Sequence, residues 1–139
     1  MSDAQPVYIL DSYAMLAYLG GEEGGEFVKE KLEEAQREES RLLMSLINLG
    51  EVLYISERGR GLVQAQKALG LIEQLPLEVV DAGKERVLAA AHIKARYPVA
   101  YADAFAAGLA QEFGGTVLTD DPEFGSLKDL ISVRRLGGE

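Results

Sequence analysis

Short apolar runs alternate with longer amphipathic stretches along the chain. Val7-Tyr8-Ile9-Leu10 is β-rich and continuously apolar, the pattern of a strand covered on both faces. Leu42–Met44, Leu77–Val80, Thr116–Thr119 and Ile131–Arg135 read as further short strands. The spacing between them predicts helices. Tyr13–Leu19 is ended by Gly20-Gly21, and Glu22–Glu39 sets Phe27, Val28, Leu32 and Ala35 among many charges. Leu46–Glu57 is N-capped by Ser45 and closed by Gly59; Gly61–Leu75 is stopped by Pro76. Lys84–Tyr97 is interrupted by Pro98, and Ala102–Phe113 is ended by Gly114-Gly115. A turn or short helix follows Asp120-Asp121-Pro122. Strands that alternate with helices predict a three-layer α/β/α sandwich around a mostly parallel sheet. Residues 1–139 are expected to form one domain. The best boundary candidate, the Arg58-Gly-Arg-Gly61 loop, is too short to separate two.

Composition narrows the chemistry. There is no Cys, which excludes a disulfide framework, a thiolate zinc site and a cysteine nucleophile. The single His, His92, lies in an Ala-rich helix and reads as a packed or surface residue rather than a catalytic one. The apolar share of 47% is too high for a disordered acidic tail. Met1 to Pro6 is a short polar lead-in, and no run approaches the ~18 apolar residues of a membrane span. The expectation is a soluble, cytoplasmic protein with no membrane partner. The net charge is −9. Such a balance argues against coating nucleic acid through bulk positive charge, although an enzyme acting on nucleic acid stays open.

Open parallel sheets bind ligands at the carboxyl ends of their strands. Asp11 ends the first strand, and Asp120 and Asp121 end the fourth. Neither is followed by a Gly-rich phosphate loop, so dinucleotide and P-loop nucleotide binding are not expected. Glu51 shares a helical stripe with Ile47, Tyr54 and Ile55, where a charge needs a partner. Asp103 stands in the first turn of its helix, where the dipole favours a carboxylate. Taken singly, each has a plain reading: Asp11 or Asp103 as a cap, Glu51 with its head in water, Asp-Asp-Pro as a turn. Four carboxylates converging at one end of one sheet would repel one another. Divalent cations with oxygen ligands, Mg²⁺ or Mn²⁺, resolve that repulsion.

Four blocks carry a resemblance: Val7-Tyr-Ile-Leu-Asp11-Ser12, Ser45-Leu-Ile-Asn-Leu-Gly-Glu51-Val, Tyr101-Ala-Asp103-Ala and Val117-Leu-Thr-Asp-Asp121-Pro-Glu-Phe124. In order and spacing they resemble the PIN-domain ribonucleases, and in particular the VapC-type toxin of VapBC toxin–antitoxin systems. The resemblance implies that Asp11, Glu51, Asp103 and Asp121 are catalytic, metal-binding residues. It places Ser12 and Thr119 as supporting hydroxyls. Asp120 stands where the family often has Gly or another residue, so Asp121 is preferred as the ligand and Asp120 as a residue that tunes the site. The implied activity is Mg²⁺- or Mn²⁺-dependent endonucleolytic cleavage of RNA by metal-activated water. The implied partners are a second copy of the chain and a VapB-type antitoxin, laid into the groove between the early helices and the Leu46–Leu75 region.

Candidate RNA phosphate contacts are Arg58 and Arg60, with Lys94 and Arg96 before Pro98; a helix connection and ordinary dipole complements are the plainer reading of both pairs. Arg134-Arg135 reads as an exposed strand end. Leu42, Leu43, Leu46, Leu49, Leu53, Leu62, Leu69, Leu71 and Ile72 serve the core, an interface, or both. Three other functions stay open: a PIN nuclease of RNA processing, a phosphoacceptor receiver domain, and a non-catalytic module. The receiver reading is weakened because Ser12, not a second acid, follows Asp11. Residues 22–39 hold eight acids against three bases, and outside them and the four candidate ligands the chain is neutral. The negative charge therefore belongs to one solvated helix and one pocket.

Overall fold

The computed structural model describes residues 5–137; Met1 to Ala4 of the polar lead-in lie outside the described residues. Five strands form one sheet: β1 (Val7–Leu10), β2 (Arg41–Ser45), β3 (Glu78–Val80), β4 (Thr116–Thr119) and β5 (Ser132–Arg135). Their order is β3-β2-β1-β4-β5, and every pairing is parallel. The helices are α1 (Ser12–Leu19), α2 (Gly25–Gln36), α3 (Leu46–Arg60), α4 (Leu62–Glu73), α5 (Lys84–Arg96) and α6 (Tyr101–Phe113), with a 3₁₀ segment over Pro122–Leu127.

The period-2 alternation of the strands divides the core in two. Ile9, Leu43 and Val117 face one way, onto Ala90 and Ile93 of α5, the Ala-rich face of α6, and Phe124 and Leu127. Leu10, Leu42, Met44 and Leu118 face the other, onto Ala14, Met15, Val28, Leu32, Leu49, Val52 and Ile72 of α1 to α4. The result is the expected three-layer sandwich. The small side chains of α6 let it lie flat on the sheet, with Ala104, Ala106 and Ala107 fully buried. Gly115 admits the close approach of β4 to β1: a Cβ there would sit 2.8 Å from the Val7 carbonyl oxygen.

Helix boundaries differ from the sequence reading in places that have physical causes. The second helix starts at Gly25 rather than Glu22, because the Glu22 N–H folds back onto the Ala17 carbonyl. It stops at Gln36, and Glu38 takes a left-handed φ of 61°. Helix α3 runs through Gly59 to Arg60 and closes on Gly61, whose φ of 91° ends it. The expected Arg58-Gly-Arg-Gly61 loop is therefore the last turn of α3, and Gly61 alone joins α3 to α4. Of the leucines that sequence could not divide between core and interface, Leu46, Leu62 and Leu71 remain exposed.

The chain builds β1, β2 and β3 outward on one side, then crosses to build β4 and β5 on the other. The topological switch point therefore lies between β1 and β4, and a crevice is expected beyond their carboxyl ends. Pairing of Leu10 with Leu118 brings Asp11 level with Thr119 at that crevice.

Candidate active site

Asp11 follows β1 directly and serves as the N-cap of α1, its Oδ1 accepting the Ala14 N–H at 2.8 Å. Besides capping the helix it is only 1% exposed and within the electrostatic reach of Asp121 and Glu51. Burial pushes its pKa up to about 7; hydrogen bonds from the Thr119 hydroxyl and the Ala14 N–H pull the other way, and Asp121 and Glu51 add repulsion. Asp103 is buried at the third position of α6 and does not cap that helix. Its pKa is also raised, first by burial and then by the charges of Asp121 and Asp11 and by its contact with Glu123.

Thr119, fully buried at the end of β4, ties the Asp11 carboxylate to the backbone of Asp121. Its Oγ1 accepts the Asp121 N–H at 2.9 Å, and its hydroxyl also bonds Asp11. Asp121 caps the 3₁₀ segment, its Oδ1 accepting the Glu123 N–H at 2.9 Å. Asp120 points elsewhere: its Oδ1 accepts the Leu136 N–H at 2.8 Å and pairs with Arg135 at 3.2 Å. It fastens the end of β5 rather than joining the cluster. Ser12 donates its hydroxyl to Oε1 of Glu51 at 2.5 Å, and the Tyr54 hydroxyl stands 3.5 Å from Oε2.

Sequence reasoning did not single out two residues near these acids, Glu123 and Asn48. Glu123 brings a carboxylate oxygen within 4.8 Å of those of Asp103 and Asp121. Asn48 is fully buried; its amide nitrogen donates to Ser12 Oγ at 3.1 Å and to the Ala102 carbonyl at 3.2 Å, while its Oδ1 has no partner. Both lie inside the resemblance blocks. Their signal was polarity beside an acid: Glu two residues after Asp121, and Asn one helical turn before Glu51.

The basic candidates are dispersed. Arg58 lies over the Tyr54 ring at 5.0 Å, on the helix that bears Glu51. Arg60 lines a groove with Lys67. Lys94 donates to the Val99 carbonyl at 2.8 Å and so braces the turn into α6; Arg96 sits 3.4 Å from His92. A cleft of about 680 Å³ between α5 and α6 holds none of the candidate site residues.

Carboxylate oxygens of Asp103, Asp121 and Glu123 thus come together beyond β4, with buried Asp11 next to them at the end of β1. The sequence matches the PIN domain family over residues 8–130. The chain belongs to the PIN domain family. Solved structures agree on the fold. The DNA-bound VapBC of Salmonella typhimurium superposes with a TM-score of 0.73 at 22% identity, covering 95% of this chain and 99% of that one. VapBC2 of Rickettsia felis, bound to a promoter DNA fragment, gives 0.72 at 16% identity over 93% and 98%. VapC20 of Mycobacterium tuberculosis, a toxin that cleaves the sarcin–ricin loop, gives 0.67 at 18% identity over 85% and 92%. No curated protein sequence matches at a significant level. PIN domains are nucleases that use divalent metals, and the all-oxygen donor set here, from buried Asp103 out to half-buried Asp121 and exposed Glu123, fits such an ion. Among the described residues no helix is long and apolar enough to cross a membrane.

Proposed function

We propose that this chain is a divalent-cation-dependent endoribonuclease of the VapC toxin kind, cytoplasmic and restrained by a VapB-type antitoxin. The observation that carries the reading lies at the switch point of a PIN fold, where carboxylate oxygens of Asp103, Asp121 and Glu123 come within 4.8 Å of one another and buried Asp11 feels the charges of Asp121 and Glu51. Asp11, Asp103 and Asp121 would hold Mg²⁺ or Mn²⁺, with Glu51 completing the set. When bound, such a cation supplies an activated water and offsets charge on the scissile phosphate and its leaving oxygen.

The protein's own part is preorganisation. Asp11 and Asp121 each commit Oδ1 to a backbone N–H, which limits the swing of both carboxylates, and Thr119 holds the Asp121 backbone beside Asp11. Ser12 aims Glu51 inward from its exposed helix. Fixed carboxylates cost little reorganisation when charge develops in the transition state.

A groove of about 410 Å³ between α1, α3 and α4 suits the antitoxin. Leu16, Leu19, Ile55 and Leu71 give it an apolar floor, and Arg60 and Lys67 give it a basic rim. Leu16 and Ile55 lie one helical turn beyond Ser12 and Glu51, so the groove leads toward the acidic pocket. An amphipathic segment laid there can extend an Arg to those acids. A homodimer belongs to the same reading and is checked by sedimentation.

The decisive experiment is RNA cleavage with Mn²⁺ against EDTA, in the wild type and in Asp11→Asn and Asp103→Asn. Cleavage that survives both substitutions comes from a contaminant and ends the nuclease reading. Growth arrest on expression, relieved by a small neighbouring gene, separates a toxin from a nuclease of RNA processing.

A further inference from the structure

Helix α6 begins at an N-cap, Ala100, that has no side-chain oxygen to cap with. In a capping box, a carboxylate at the third helical position reaches back to the N-cap N–H. In α6 that third position is Asp103. A carboxylate so engaged would be drawn onto its own helix end and away from Asp11 and Asp121. The bond is made, but by another residue. Oε1 of Glu123, from the 3₁₀ segment, accepts the Ala100 N–H at 3.0 Å.

Glu123 is itself well placed to do this. Its own N–H is held by Asp121 at 2.9 Å, Pro122 precedes it, and Phe124 after it is only 1% exposed. Its backbone is thus anchored to the core on both sides, and its side chain crosses to α6. Asn48 grips the same helix start through the Ala102 carbonyl. The start of α6 is held from two neighbouring elements, and Asp103 holds none of it.

We propose that Glu123 is a positioning residue: by taking the Ala100 N–H through Oε1 it fills the capping-box role in place of Asp103, and keeps the Asp103 carboxylate off its own helix end and turned toward Asp121 and Glu123 itself. The consequence for cation binding rests on the nuclease reading above; the capping itself does not.

The test compares Glu123→Gln, which keeps an acceptor oxygen, with Glu123→Ala, which removes it. In metal-free protein, amide hydrogen exchange at Ala100 to Ala104 should quicken roughly fivefold in Glu123→Ala, the effect of losing one cap, and stay unchanged in Glu123→Gln. Mn²⁺ affinity by calorimetry should fall about tenfold in Glu123→Ala and stay within about threefold in Glu123→Gln. Equal losses of affinity in both variants would make Glu123 a direct ligand through its charge and overturn the proposal. So would unchanged exchange in Glu123→Ala. If the wild type binds no Mn²⁺, the nuclease reading fails, and the exchange comparison alone decides the capping role.

Discussion

The side-chain amide of Asn48 donates to the hydroxyl of Ser12 at 3.1 Å, and that hydroxyl in turn donates to Glu51. One fully buried amide thereby sets the direction of an acid on its own helix through a residue of α1. The same amide nitrogen holds the Ala102 carbonyl next to Asp103. Asn48→Ala should lower stability by about 2 kcal/mol, since two buried hydrogen bonds are lost. Asn48→Asp should cost more in metal-free protein, because it sets an acceptor against an acceptor and adds charge. Urea denaturation of the three proteins checks both; an Asp variant as stable as the wild type would refute this hydrogen-bond assignment.

Asp120 and Asp121 are adjacent in sequence and serve different ends of the chain. Asp120 holds the backbone after β5 and the Arg135 side chain, while Asp121 faces Asp103. Asp120→Ala should reduce stability by about 1–2 kcal/mol and leave Mn²⁺ affinity within about threefold of wild type. Asp121→Asn should abolish cleavage and weaken Mn²⁺ binding by more than tenfold. Calorimetry and denaturation, run on the same preparations, separate the two effects. If Asp120→Ala loses the metal and Asp121→Asn keeps it, the ligand assignment is reversed.

The layered fold was legible in the sequence because its signals are local. Continuous apolar runs marked the buried parallel strands, and Pro76, Pro98 and Gly114 punctuated the helices. That Asp11 and Asp121 stand at the carboxyl end of the sheet was legible because each follows a recognisable strand, whereas Glu51 and Asp103 drew notice as acids among apolar helical neighbours. The sheet order was not, since nothing local says that the chain crosses from β3 to β4 on the far side of β1. Glu123 and Asn48 escaped for a related reason. Their partners lie 23 and 54 residues away, at Ala100 and Ala102, and a bond to a distant backbone leaves no periodic trace. The Arg58–Arg60 stretch misled because glycine at 59 looks like a terminator, yet only Gly61 takes the positive φ that stops the helix.

The pKa shifts at the site give a pH dependence of definite sign. Asp11 moves from 3.8 to about 7 on folding, and Asp103 moves in the same direction. The folded state therefore holds protons that the unfolded chain has released. Stability from these groups is fully present below about pH 4 and is lost as pH rises toward 7, by on the order of a few kcal/mol. Metal-free protein should melt at a lower temperature at pH 8 than at pH 5. Mn²⁺ at pH 8 should restore the difference with release of protons, because the cation takes the place of the held protons. Thermal melts at the two pH values, with EDTA and with Mn²⁺, measure both parts. A metal-free protein that grows more stable between pH 5 and 8 would mean these carboxylates are charged and separately solvated.

The apolar groove allows partner binding to be separated from catalysis. Leu71 is 56% exposed on α4 and lines that groove, while the acids lie on α1, α3, α6 and the turn after β4. Replacing it with Glu removes apolar contact area and sets a like charge against an acidic partner face that would match Arg60 and Lys67. Leu71→Glu should leave metal-dependent RNA cleavage intact, because no bond of the site passes through α4. It should weaken the antitoxin by about 30-fold or more, the loss typical of a central apolar anchor of about 2 kcal/mol. The expected cellular result is a toxin that the antitoxin no longer silences. Titration of the purified variant with antitoxin, read by inhibition of cleavage, measures the shift. Full inhibition at wild-type concentrations would place the antitoxin on another face, with the exposed side chains of α5 the next surface to test.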